Sequence, residues 1–206
     1  MRRIIRAAAA LAIAWLAVSQ AFADDCQEKV VIDSTRFPVT DYWCNRLLDS
    51  TLVAKPEGLV QIPQDFTFED YRIYVLPPVR DAFVRMAGAA LRDSVKLIAD
   101  SGFRSVSYQR KIIKNRVAAG ETMEHILKSV APPGYSQHHT GRALDLCPSE
   151  ARFAHSKAYR WLKEHAAAHG FRETIPNDPA YPGTWESWHW TYLGDLDSAA
   201  VKKFLR

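Results

Sequence analysis

The 206-residue chain carries 27 Lys and Arg against 23 Asp and Glu, a formal charge of +4. Arg2, Arg3 and Arg6 supply three of those charges, so the chain beyond residue 23 is close to neutral, about +1 by the same count. That leaves no clustered basic face for a nucleic-acid partner, and residues 24–206 suit one domain around one sizeable core.

Residues 1–23 read as an export signal. Three arginines form the basic n-region, residues 7–18 are apolar, and Ala21-Phe22-Ala23 is a small-residue cleavage site. The apolar run is too short to span a bilayer comfortably, so an uncleaved signal is the one membrane attachment to consider. The mature chain is expected to start at Asp24 and to be periplasmic or cell-wall associated. In that oxidising compartment Cys26 and Cys44, bracketing a short loop, are the expected disulfide, with Cys147 left as a thiol.

Residues 24–78 are punctuated by Pro38, Pro56, Pro63, Pro77 and Pro78. They read as an extended wrap with short strands at 30–32 and 71–75. Apolar positions recur at helical spacing over 79–100. A short strand is predicted at 103–107, then helices over 108–119 and 121–130, the second stopped before Pro132-Pro133-Gly134. Beyond Gly141 the residues alternate: Ala143 and Asp145 share one strand face, and Leu144 and Leu146 the other. A further helix is expected over 148–169, ended by Gly170, then a Pro/Gly-rich loop over 177–183 and an aromatic strand over 188–193. A short basic helix or tail closes the chain at 198–206. The fold class is α+β: a small, mainly antiparallel sheet flanked by helices.

The chemistry concentrates in Ser136-Gln137-His138-His139-Thr140-Gly141-Arg142-Ala143-Leu144-Asp145. Here an imidazole and a carboxylate lie seven residues apart across a Thr-Gly turn. Together they could hold a divalent metal, and zinc accepts that mixture. His189, in Trp185-Glu186-Ser187-Trp188-His189-Trp190, would complete a three-ligand set with a fourth position left for water, the catalytic arrangement. Glu186 is then free to act as base. A spacing of three puts Glu186 and His189 on opposite faces of a flat strand, so a turn or bulge is expected just before that strand. Arg104 is the candidate cation beside the metal for a growing oxyanion.

Alternatives stand beside each assignment. Either His138 or His139 could ligate, and Asp145 could instead pair with Arg104. Cys147 could be a fourth ligand, which would make the site structural. His165 and His169 have zinc-compatible spacing but lack the glutamate that a metalloprotease helix needs. At least one of Trp185, Trp188 and Trp190 is expected in the core.

The ordered set Ser136-x-His138-x-x-Gly141-x-Ala143-x-Asp145 and Glu186-x-x-His189 resembles the VanY-type zinc D,D-carboxypeptidases of bacterial cell walls. Ser101-Gly102-Phe103-Arg104-Ser105 matches that family's segment with a substrate-facing arginine. The resemblance covers roughly residues 75 to 195. It implies a Hedgehog-like D,D-peptidase fold, one Zn2+ per chain held by His138, Asp145 and His189, and Glu186 and Arg104 as catalytic residues. Ser136 and Gln109 would help hold the substrate's terminal group. The implied substrate is the peptidoglycan stem peptide, cut at its terminal D-Ala by a monomer. An L,D-carboxypeptidase, an endopeptidase and a non-catalytic metal-bearing cell-wall-binding protein remain as alternatives, because fold does not fix function.

Overall fold

The computed structural model describes residues 26–178 and 183–204. The predicted export signal, residues 1–23, lies outside the described residues. Among them, no helix is long and apolar enough to cross a membrane.

The wrap contains two antiparallel ribbons. β1 (Lys29–Ile32) pairs with β2 (Thr35–Pro38), and β3 (Val60–Gln61) with β4 (Tyr74–Val75). Short 3-10 turns lie between these strands. β2, with none of its four residues buried, and the two-residue β3 leave no periodic signal in the sequence. Cys26 and Cys44 form a disulfide with a Cα–Cα distance of 6.0 Å, and Cys147 is free.

α1 (Pro77–Arg92) starts on two prolines, whose fixed φ suits a first helical turn. Val79, Ala82, Phe83, Met86, Ala87 and Ala90 form its buried face. The helix predicted to run to residue 100 stops at Arg92. Ser94 takes a left-handed φ of 58°, and the Ser94 and Val95 N–H groups donate back to the Leu91 and Ala90 carbonyls. This is a Schellman end built without glycine, which is why composition did not reveal it. Val95, Leu97 and Ala99 are then buried at alternate positions. This period-two run leads into β5 (Ala99–Ser101).

The strand predicted at 103–107 is therefore displaced to 99–101. Ser105 caps α2 (Val106–Ala118) by accepting from the Tyr108 N–H at 3.0 Å, so Arg104 lies in the β5–α2 connection. Gly102 is required there. A Cβ on it would come within 2.7 Å of the Tyr74 carbonyl oxygen as the chain crosses β4. α3 (Met123–Ser129) follows, capped by Thr122.

Past the 3-10 turn Gln137–Thr140, β6 (Ala143–Leu146) is buried along its whole length. The helix predicted over 148–169 is broken. A 3-10 turn over Ala151–His155 ends at Ser156, which caps α4 (Lys157–His165), and a second 3-10 turn reaches His169. β7 (Phe171–Glu173), too short to be read beforehand, precedes β8 (His189–Tyr192) and α5 (Ser198–Phe204).

β5, β6, β8 and β7 form one sheet in that order, with every pair antiparallel. Leu144, Leu146 and Trp190 face the main core with α1, α4 and Phe171. Burying each such side chain contributes roughly 1.5–3 kcal/mol. Val30, Ile32 and Val39 of the wrap join Ile113, Ile126, Leu127 and Tyr135 in a second core.

Candidate metal centre and pocket

The sheet register builds the site. Asp145 lies directly opposite His189 in the β6–β8 pair, and Ser101 of β5 lies opposite Asp145 on its other side. Opposed residues share a sheet face, so one row across three strands carries hydroxyl, carboxylate and imidazole. The side chains of Leu144 and Leu146 point to the other face, into the core.

His138 arrives from the 3-10 turn Gln137–Thr140, capped by the Ser136 hydroxyl. Gly141 ends that turn at a φ of 65°, a left-handed conformation that favours glycine, and so turns the chain into β6. His138 Nε2 lies 3.2 Å from Asp145 Oδ2, and His189 Nδ1 lies 3.1 Å from Asp145 Oδ1. The ligand atoms of His138, Asp145 and His189 all fall within 4.8 Å of one another, and all three residues are buried. Two ligands at ordinary zinc bond lengths and a tetrahedral angle sit about 3.3 Å apart, so the donor set fits such an ion.

Protonation fits as well. Burial pulls the His138 imidazole down to about 4, and the Arg104 charge reinforces it, so the ring is neutral near pH 7. Burial pushes the Asp145 carboxyl up, but His138 and Arg104 override it and hold the group well below the usual carboxylate range. A neutral imidazole and an ionised carboxylate are the ligand forms a metal requires. Asp145 also meets the Arg104 guanidinium, so the ion pair considered from the sequence is present beside the ligand cluster.

His139 is placed differently. Its Nδ1 lies 2.6 Å from the Arg104 carbonyl oxygen, and its Nε2 accepts from the Gly134 N–H at 3.1 Å. With both nitrogens held by backbone, it ties the ligand loop to the chain around it. Cys147 is not in the ligand cluster. The other candidate ligand group among the described residues, Cys26, Glu28 and Cys44, is taken up by the disulfide. His165 and His169 stack against Trp161, outside both groups. Of the tryptophans, Trp190 is in the core, while Trp185 donates to Glu173 at 2.8 Å.

Glu186 Oε2 stands 4.0 Å from His189 Nδ1. The His189 N–H donates to the Glu186 carbonyl at 3.0 Å, closing the turn expected before β8. That turn brings both side chains to one side. Burial pushes the Glu186 carboxyl up to about 7, partly opposed by His189.

Glu186, His138 and His189 line a pocket of about 410 Å³ with Arg104, Gln109, Ser136 and Gln137. Arg104 Nε donates to Ser101 Oγ at 2.9 Å. Gln109 is fully buried. Its Nε2 donates to the Ala131 carbonyl at 2.9 Å, and its Oε1 has no hydrogen-bond partner among the described residues. Sequence reasoning missed the opposite wall, where Tyr42, Trp43, Arg46 and Leu47 of the wrap border the same pocket. It also missed Gln137, whose Oε1 accepts from Thr191 at 2.8 Å. The wrap residues belong to no motif, and Gln137 sits at an unspecified position inside one, so neither carried a local signal.

Known proteins resemble this chain in sequence and in fold. Residues 72–195 match the family described as VanY, D-alanyl-D-alanine carboxypeptidase. A D-alanyl-D-alanine carboxypeptidase of Enterococcus faecalis (strain ATCC 700802 / V583) is 30% identical over 145 residues, covering 66% of this chain and 53% of that protein. The chain spans about half the length of the curated relatives it matches. Among solved structures, the LD-carboxypeptidase LdcB superposes with a TM-score of 0.64 at 25% identity, over 85% of this chain and 88% of that one. A zinc complex of a mutant vancomycin-resistance D,D-pentapeptidase, VanY, gives 0.50 at 27% identity, over 71% and 89%. With more than half of its length inside the family match and the D,D-peptidase fold around it, this chain belongs to the VanY family of D-alanyl-D-alanine carboxypeptidases.

Proposed function

We propose that the protein is an exported, zinc-dependent D,D-carboxypeptidase that removes the terminal D-Ala of peptidoglycan stem peptides. The observation that carries this reading is the convergence of His138 Nε2, Asp145 and His189 Nδ1 beside a half-buried Glu186, with Glu186 and both histidines lining one pocket. A zinc ion held by those three side chains would lower the pKa of a bound water toward about 7 and polarise the scissile carbonyl.

The remaining steps belong to the chain's own residues. Glu186 takes the proton of the attacking water and returns it to the leaving amine. Burial keeps its carboxylate a stronger base than one in water, which suits that exchange. Arg104, steadied by Ser101, offers guanidinium N–H groups to negative charge at the reacting end. The Ser136 hydroxyl lines the same pocket. The spare atom of Gln109 is a carbonyl oxygen, so its part is to accept an N–H of the bound peptide.

A carboxypeptidase must recognise a free terminal carboxylate, and a charge-assisted hydrogen bond to it is worth roughly 1.5–3 kcal/mol. The extensive similarity to LdcB favours a second reading, L,D cleavage of a tetrapeptide by the same residues. Purified tetrapeptide and pentapeptide stems, each with free and amidated termini, separate the readings by mass analysis of the products. We expect one D-Ala released from the pentapeptide, at least about tenfold more slowly when the terminus is amidated. Release from the tetrapeptide alone would select the L,D reading. Fragments longer than one residue, or equal cutting of amidated stems, would replace both with an endopeptidase.

A further inference from the structure

The two histidines of the cluster are oriented by different means. His138 Nδ1 lies 2.7 Å from the Gly102 carbonyl oxygen, a backbone acceptor that no substitution of side chain removes. His189 instead has Nε2 3.1 Å from Oε1 of the Gln137 side chain. A neutral imidazole has one N–H and one lone pair, and the partner on one nitrogen decides which is which.

The Gln137 oxygen is itself anchored. Thr174 Oγ1 donates to it at 2.7 Å and Thr191 Oγ1 at 2.8 Å, and the two hydroxyls lie 3.0 Å apart. Sheet register explains the convergence. Thr191 pairs with Ala143, two residues along from the Asp145–His189 pair, and so shares their face. Thr174 immediately follows β7, and Gln137 opens the 3-10 turn that carries His138. Hydroxyls from two segments thus point one amide oxygen at one imidazole.

We propose that Gln137 is a positioning residue for the metal centre: its threonine-anchored side chain holds His189 as the Nε2–H tautomer, with the Nδ1 lone pair presented beside Asp145 and His138. The inference rests on the metal assignment made above. It deepens that assignment by giving the affinity of the site an adjustable side-chain determinant. Metal-ligating histidines gain orientation and basicity from an acceptor on the far nitrogen, and losing that acceptor costs about 10- to 100-fold in metal affinity. A carboxylate at position 137 would keep the acceptor and add charge. An alanine would remove it.

The test is zinc affinity of the chain, measured by competition with a chromogenic chelator. Gln137→Ala is expected to bind about 10- to 100-fold more weakly than the wild type, while Gln137→Glu restores wild-type affinity or exceeds it. Equal affinity of Gln137→Ala and the wild type overturns the inference, as does a Gln137→Glu no better than Gln137→Ala. A second measurement needs no variant. Proton–nitrogen correlation spectra of the zinc-loaded wild type should place the His189 ring proton on Nε2, and a proton on Nδ1 overturns the inference even if the variants misfold. A wild type that takes up no zinc would remove the metal assignment and this inference together. A zinc-binding wild type matched by Gln137→Ala removes the inference alone.

Discussion

The four-stranded sheet and the N-terminal wrap border the same pocket, yet they place their side chains by different physics. In the sheet, Ser101, Asp145 and His189 are aligned by strand register, and the strands are fixed by a core of Leu144, Leu146 and Trp190 on the opposite face. A one-residue slip would send all of them into that core, so their positions are strongly specified. The wrap has no such repeat. Tyr42, Trp43 and Arg46 are held by a disulfide, by the indole N–H of Trp43 donating to the Leu127 carbonyl at 2.8 Å, and by the second core. The wrap wall also lies outside residues 72–195, the part that matches the family. Chemistry is thus expected to depend on the sheet and substrate fit on the wrap.

The largest expected effect tests the sheet and its loop. His138→Ala should weaken zinc binding beyond the roughly 100-fold upper end expected for a supporting residue, because it removes a ligand atom itself. Its neighbour should behave oppositely. His139→Ala should keep zinc but lose about 1–3 kcal/mol of stability, since it strands a Gly134 N–H and an Arg104 carbonyl. Titrating both variants with zinc and denaturant distinguishes the two roles. Equal metal loss would erase the distinction between ligand and loop tie.

Next comes the base. Glu186→Gln should retain zinc while turnover falls by ~10²-fold or more. The wild-type rate should decline as pH falls through the Glu186 pKa, because the protonated carboxyl cannot accept a proton. Burial, partly opposed by His189, sets that value at about 7, and a metal cation beside it would lower it further, so the acid limb lies at or below neutral pH. A Glu186→Gln enzyme with full rate, or with the same acid limb, would move the base elsewhere.

Two smaller effects probe the wrap. Replacing Cys26 and Cys44 with serine opens a loop with a sequence separation of 18 and should cost about 2–3 kcal/mol in denaturant unfolding. Zinc affinity should stay unchanged, and a parallel loss of zinc would show that the wrap supports the metal centre after all. Arg46 lies over the Tyr42 ring, 4.6 Å from its centroid, on the pocket wall. Arg46→Ala should raise KM for a stem peptide by about tenfold or less, leaving kcat and zinc content as they were. A drop in kcat with unchanged KM would place Arg46 with the chemistry instead.

What could be read from the sequence follows the same division. Ala143–Leu146 was legible as a strand because its alternation is local, and Gly141 as a turn because its left-handed conformation suits glycine. The turn between Glu186 and His189 followed from the clash between their spacing and strand periodicity. Where a local cue was ambiguous, neighbouring elements decided. Residues 95–99 alternate like a strand but continue a helical pattern. Only the left-handed Ser94 and the pairing of Ala99 with Leu146 separate the two. Arg104 sits in an alternating run, yet the Ser105 cap makes that run the start of α2.

The sequence by itself determined which residue types could hold a metal and roughly where each element lay, because ligand chemistry and periodicity are local properties. It left His138 and His139 equivalent on chemical grounds. Tertiary structure separated them by giving both nitrogens of His139 to backbone partners at Gly134 and Arg104. It likewise brought Gln137, Thr174, His189 and Thr191 into one network and set the wrap across the pocket. Those contacts join residues tens of positions apart, and no pattern along a single chain encodes them until the strands pair and the cores close.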